Sequence, residues 1–144
     1  MTNIIELAQE LKDIVSWQRT PEELEDADYI KMIINGIKTL YIDTGRASEY
    51  SNDMIVYSGL VDPEIWFTVD LPIDEEKYVL IVAQIAFFKK VQSDVNNIVS
   101  YTTDALSVAN ADKPYAHLQD TIANLENERR IVFYKMVSYS FYSV

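Results

Sequence analysis

The stretch that most restricts how this chain can fold is a helix-length segment with no continuous polar side. Tyr78, Val79, Ile81, Val82, Ile85, Ala86, Phe88 and Val91 are apolar and cover more than one face of a 3.6-residue helix. Such a helix belongs either in the middle of a bundle or in a subunit interface. It is not a membrane span: Gln84 interrupts it, Lys89 and Lys90 follow, and a span needs roughly 20 apolar residues in a row. Pro72-Ile73-Asp74-Glu75-Glu76 opens it, with acids in the first turn where the helix dipole favours negative charge. The spacing places its end before Asn96-Asn97.

Three further helices can surround it. Ile4, Leu7, Ala8, Leu11, Ile14 and Val15 recur at three and four, which predicts a helix from Ile4 to Trp17 capped by Asn3 with Glu6. Thr20-Pro21-Glu22-Glu23 reads as a cap, a first-turn proline and favourable early acids, continued by Glu25 and Asp26. Its stripe is Leu24, Ala27, Ile30, Ile34, Ile37 and Tyr41; Gly36 marks a close helix contact and Gly45 a stop. The last helix starts at Pro114 and runs to about Val137, with Leu118, Ile122, Leu125, Val132, Met136 and Tyr139 as its stripe and Arg129 interrupting it.

Between the second and third helices the helical period disappears. Met54 to Tyr57 and Ile65 to Leu71 have strand character, the latter alternating in steps of two, with turn residues Ser58-Gly59 and Asp62-Pro63 between them. A one-turn helix over Ser48 to Met54 is an equal reading. Residues 98–113 read as a polar connector, and residues 138–144 as a tail alternating small polar with aromatic side chains. The expected fold is therefore mainly α. It is a single four-helix bundle-like domain over residues 1–144, with a small β-hairpin or irregular insertion at 46–73 and a C-terminal tail at 138–144.

Composition narrows the function more than it names it. The chain has 144 residues, enough to bury roughly 68–70% of its unfolded surface without staples. It contains no cysteine, which removes disulfides, thiol nucleophiles and thiolate metal sites. The net charge of −11 opposes sequence-independent binding to phosphates. That charge is uneven: residues 1–76 hold 17 acids against 5 bases, a net of −12, whereas residues 77–144 hold 6 against 7, a net of +1. A solvated acidic face that keeps the protein soluble explains this, and so does a polar molecule whose two ends meet different surroundings.

Catalytic patterns are missing. His117 is the sole histidine, reads as a surface residue, and has no nucleophile-elbow sequence to serve. The carboxylates cluster at helix starts, where capping explains them, and no Asp-x-Asp-x-Asp loop or Glu-x-x-His pair occurs. Three widely spaced glycines cannot build a phosphate cradle. The expectation is no enzyme, no cofactor and no metal. The start Met1-Thr2-Asn3-Ile4-Ile5-Glu6 lacks a basic, apolar leader, which points to assembly in a cytoplasm.

Three features favour assembly over catalysis. The third helix offers more apolar surface than a small bundle needs, through Tyr78, Ile81, Ile85 and Phe88. The tail residues Tyr139, Phe141 and Tyr142 have the alternation of a strand that could add to a partner's sheet. The 46–73 segment is long for a structureless connection and carries exposed-looking Tyr57 and Trp66. A core helix, a frayed end and a packed loop are the plain alternatives.

The order of these parts resembles the head–tail connector (adaptor or head-completion) proteins of tailed bacteriophages. The likeness is carried by the Thr20-Pro21-Glu22 start with Asp28-Tyr29-Ile30 to Tyr41-Ile42-Asp43, and then by Leu71-Pro72-Ile73-Asp74-Glu75-Glu76-Lys77-Tyr78-Val79-Leu80. Thr102-Thr103-Asp104-Ala105-Leu106-Ser107-Val108 to Ala111-Asp112-Lys113-Pro114-Tyr115 completes it, so that it spans about residues 20–137. The resemblance implies a helical subunit of a virion neck ring, often twelve-membered, that docks under the portal, extends the DNA channel and offers a platform for the tail or stopper. It also implies that the acids Glu22, Glu23, Glu25 and Asp26 flank a lumen through which DNA passes without specific binding, while the third helix and the tail carry subunit and portal contacts. A tail terminator or tail-completion protein, or a soluble acidic binding module, stands as the alternative.

Overall fold

The computed structural model describes residues 1–18, 24–102 and 112–142, with side chains over 1–18, 24–94 and 117–138. Its elements run β1 (Thr2–Asn3), α1 (Ile4–Ile14), α2 (Asp26–Asp43), β2 (Ile55–Ser58), β3 (Glu64–Phe67), α3 (Ile73–Thr102) and α4 (Asp112–Tyr142). The protein is thus mainly helical, with four helices and one small antiparallel sheet. Each helix packs on the next in chain order, and β3 lies against α1.

Asn3 both ends β1 and caps α1: its Oδ1 accepts from the Ile5 and Glu6 N–H groups at 3.1 and 3.2 Å. Ile4, Leu7, Ala8 and Leu11 then bury one stripe, and α1 stops at Ile14 rather than Trp17. Val15 remains buried just beyond the helix, whereas Ile14 and Trp17 are exposed.

The described start of α2 lies later than Thr20-Pro21 predicts. Arg19 to Glu23 fall outside the described residues, Leu24 is not helical, and Glu25 is the N-cap. Its N–H donates to the Asp28 carboxylate at 2.9 Å, so the capping pair is Glu25 with Asp28. The helix ends as the sequence requires. Gly45 has φ +72°, and the Arg46 and Gly45 N–H groups donate to the carbonyls of Tyr41 and Ile42, the double closure that a left-handed residue permits.

The buried face of α2 is rotated from the predicted stripe. Tyr29, Met32, Ile33, Gly36, Ile37, Leu40 and Tyr41 are inside, while Ile30 and Ile34 are half-buried. Gly36 explains the rotation. A Cβ there would lie 2.9 Å from the Val79 carbonyl oxygen, so α3 approaches α2 backbone to backbone along this line.

Between α2 and α3 the strands run over 55–58 and 64–67, where the sequence places them at 54–57 and 65–71, with a one-turn helix at 48–54 as an equal reading. Two 3₁₀ turns, Ala47–Glu49 and Asn52–Met54, precede the β2–β3 hairpin. The register pairs Ile55 with Phe67, Val56 with Trp66, Tyr57 with Ile65 and Ser58 with Glu64. Gly59 turns the hairpin at φ +90°, where a Cβ would sit 2.4 Å from the Asp62 carbonyl oxygen. The sheet has a third strand that the sequence reading did not supply: β1 pairs with β3, placing Thr2 opposite Phe67, in the order β1-β3-β2. Buried Thr2 locks this in, its hydroxyl donating to the Val69 carbonyl at 2.8 Å and accepting from the Leu71 N–H at 2.9 Å.

Both long helices exceed their predicted bounds. α3 continues past Asn96-Asn97 to Thr102, so the first part of the expected connector is helix, and residues 103–111 lie outside those described. α4 begins two residues ahead of Pro114, which a first turn tolerates because those N–H groups have no intrahelical acceptor. It runs on through Tyr142, and the backbone at Tyr139, Phe141 and Tyr142 is therefore helical rather than strand-like. A period-two pattern this short has no force against a helix already propagating.

Candidate functional site

α2 ends where α3 begins and where the middle of α4 crosses, and here most of the partly buried charge is gathered. Asp43, the last residue of α2, faces that helix's negative end and needs a cation. Arg129 of α4 supplies it, its Nη2 lying 2.5 Å from Asp43 Oδ2. The Tyr78 hydroxyl of α3 joins the pair, donating to Asp43 and accepting from Arg129 Nε at 3.0 Å. Burial, then the bond to Asp43, pushes the Tyr78 phenol above its ordinary range, so it stays protonated and remains a donor. Burial disfavours the Arg129 charge, but the bonds to Tyr78 and Asp43 outweigh it and hold the guanidinium protonated. A second ion pair, Arg46 with Glu75, ties the segment after α2 to the first turn of α3.

Beside these pairs opens a cleft of about 440 Å³, lined by Asp43, Arg46, Glu75, Pro72, Phe133 and Met136 among others. Two ion pairs tie its walls together, Asp43 with Arg129 and Arg46 with Glu75. Asp43 and Glu75 are each paired with a guanidinium and the Tyr78 phenol is kept neutral, while Asp74, which also lines the cleft, forms no ion pair among the described residues. Among the described residues no group of three or more metal-ligating side chains could hold an ion. No described helix is long and apolar enough to cross a membrane.

The predicted interface residues of α3 lie elsewhere than proposed. Tyr78, Ile81, Ile85 and Phe88 are all buried inside this chain, so the plain reading of a central bundle helix replaces the subunit-contact reading for them. The cause is coverage. Trp17 stacks over Phe88 at 5.5 Å between ring centroids, Phe87 meets Tyr29 of α2, and Phe133 of α4 meets Tyr78. Together with the close approach at Gly36, these contacts bury Tyr78, Val79, Ile81, Ile85, Phe87 and Phe88, while Val82 and Ala86 stay half-buried.

Other predicted residues behave differently. Tyr57 is 69% exposed, whereas Trp66 is half-buried, with its indole N–H donating to Glu64 at 3.0 Å. Glu25 and Asp26 are exposed, and Lys12 pairs with Asp26 at 3.2 Å; Glu22 and Glu23 lie outside the described residues, as do the side chains of Tyr139, Phe141 and Tyr142. His117 is exposed, its ring set edge-on to Trp17 at 6.2 Å.

Acids do gather on one surface. Glu6, Glu10 and Asp13 are exposed on α1, and burial together with the fields of Glu10, Asp70 and Glu6 raises the pKa of Glu76 at the start of α3. Sequence reasoning missed the Asp43–Tyr78–Arg129 tie, although the signal was present: an arginine inside an apolar stripe must find a partner on a neighbouring helix. It also missed Leu60, fully exposed, and Val61, 90% exposed, at the hairpin tip. Comparison with protein families, with curated proteins and with solved structures found no match to this chain.

Proposed function

We propose that this protein is a structural subunit of a phage neck: a ring-forming head–tail connector that docks under the portal, extends the DNA channel and presents a platform to the tail or stopper. The observation that carries the reading is the acidic surface formed by Glu6, Glu10 and Asp13 of α1 with Asp70 and Glu76, on a helical body otherwise built from structural ties. A wall of carboxylates repels duplex phosphates and lets DNA slide, the reverse of a binding surface. In this reading α1 and the start of α3 flank the lumen. The order of helix, irregular β segment, Leu71-Pro72 entry and long final helices supports the same reading.

The decisive experiment images this protein mixed with purified portal rings encoded beside its gene, alongside a native mass of the protein alone. Rings stacked on the portal in register with its symmetry are the expected result. A monomer that ignores the portal overturns the reading and brings forward the tail-completion and acidic-module alternatives.

A further inference from the structure

Two exposed apolar surfaces of this chain are complementary in charge. The first is the hairpin: β2 is an edge strand, and Val56, Tyr57, Leu60 and Val61 all stand out from it and its turn. Residues 53–64 around them include three acids, Asp53, Asp62 and Glu64, and no base. The second is the outer face of α4, where Ile131, Tyr134 and Val137 are exposed at helical spacing. Residues 130–138 include two bases, Arg130 and Lys135, and no acid. Both bases are exposed, and neither is in an ion pair among the described residues.

We propose that the hairpin of one copy seats on the α4 strip of the next. Within one folded chain both surfaces stay exposed, so neither covers the other. Their union is between copies, and it is heterologous: each molecule offers the hairpin at one place and the strip at another. Contacts of this kind close into rings or run on as filaments. Leu60 and Val61 provide the apolar centre, while Asp53 and Asp62 meet Arg130 and Lys135 at the rim, steering the encounter and fixing its direction. An exposed edge strand ending in a large apolar pair is a liability for a solitary protein, and a partner surface removes it. This assigns the subunit contact of the ring proposed above and depends on that reading for closure, but the contact itself is tested without a portal.

The absence of cysteine gives a clean assay. Ser58→Cys, beside the hairpin turn, and Ser138→Cys, one turn after Tyr134, keep every apolar residue of both surfaces. One partner carries a mass tag, and disulfide formation in the mixture is followed by mass. The mixed disulfide is expected roughly tenfold faster than either homodimer, a preference worth about 1.4 kcal/mol. It is also expected to outpace mixtures of Ser58→Cys with Asn35→Cys, an exposed position of α2. Asp53→Lys with Asp62→Lys removes the preference, and Arg130→Glu with Lys135→Glu on the other partner restores it. Homodimers as fast as the mixed product, or reversal without rescue, overturn the proposal. A directed disulfide with no portal rings leaves this contact standing and removes the connector reading; portal-bound rings without it do the opposite.

Discussion

The α2–α3 contact and the β2–β3 hairpin treat large apolar side chains in opposite ways. Along the first, Gly36 brings two backbones together, and Ile33, Ile37, Val79, Phe87 and Phe88 are sealed from water. At the tip of the second, Leu60 and Val61 stand in solvent. Hydrophobicity is the same in both places; only the surroundings differ. A core can be recognised by what else must fit, whereas an interface is recognised by what this chain leaves uncovered.

The largest test of that difference is Phe88→Ala. Removing a buried ring beneath Trp17 and beside Phe87 is expected to cost about 3–5 kcal/mol, read as a shift of the urea midpoint. A loss below about 1 kcal/mol would place Phe88 at a surface, as an interface residue of the free subunit. Gly36→Ala comes next. Alanine improves intrinsic helix propensity by up to ~1 kcal/mol, yet its Cβ meets the Val79 carbonyl, so a net loss of about 1–3 kcal/mol is expected. A variant more stable than the parent would show that α2 and α3 do not approach this closely.

These two positions also show how far the sequence could be read. Helix number, the Gly45 stop, the Asn3 cap and the close approach at Gly36 followed from local chemistry and from period. The choice between core and interface for Tyr78 and Phe88 did not, because it depends on residues brought from afar: Trp17, Tyr29 and Phe133. The third strand was hidden for the same reason. Thr2–Asn3 is too short to show a period, and it is a strand only because Thr2 bonds residues 67 and 69 positions away. Arg129 was visible as an interruption, but its partner Asp43 lies 86 residues off.

The acidic surface offers a smaller effect with a definite sign. Burial and neighbouring carboxylates raise the folded-state pKa of Glu76 above its unfolded value. The folded state therefore holds its proton to higher pH, and stability from this group is gained as pH falls through the folded pKa and lost as pH rises through it. Glu76→Gln is expected to stabilise by roughly 0.2–0.5 kcal/mol at neutral pH, about the size of a like-charge pair. The gap between variant and parent should close as pH drops through the carboxylate range. A gap that widens on acidification would mean Glu76 is stabilised as an anion, and the crowding of acids against α1 would not be real.

The smallest expected effect separates the two regions most sharply. Leu60→Ser with Val61→Ser removes two large apolar side chains, as drastic on paper as the change at Phe88. With nothing packed against them, the melting midpoint should move by no more than about 0.5 kcal/mol in equivalent stability. The same double variant should abolish the directed disulfide between the hairpin and α4, because it deletes the apolar centre of that contact. A fall in stability comparable to Gly36→Ala would instead mean that the tip is packed within its own chain. The hairpin would then belong to the core as fully as α3 does, and its exposed pair would have no work left to do between copies.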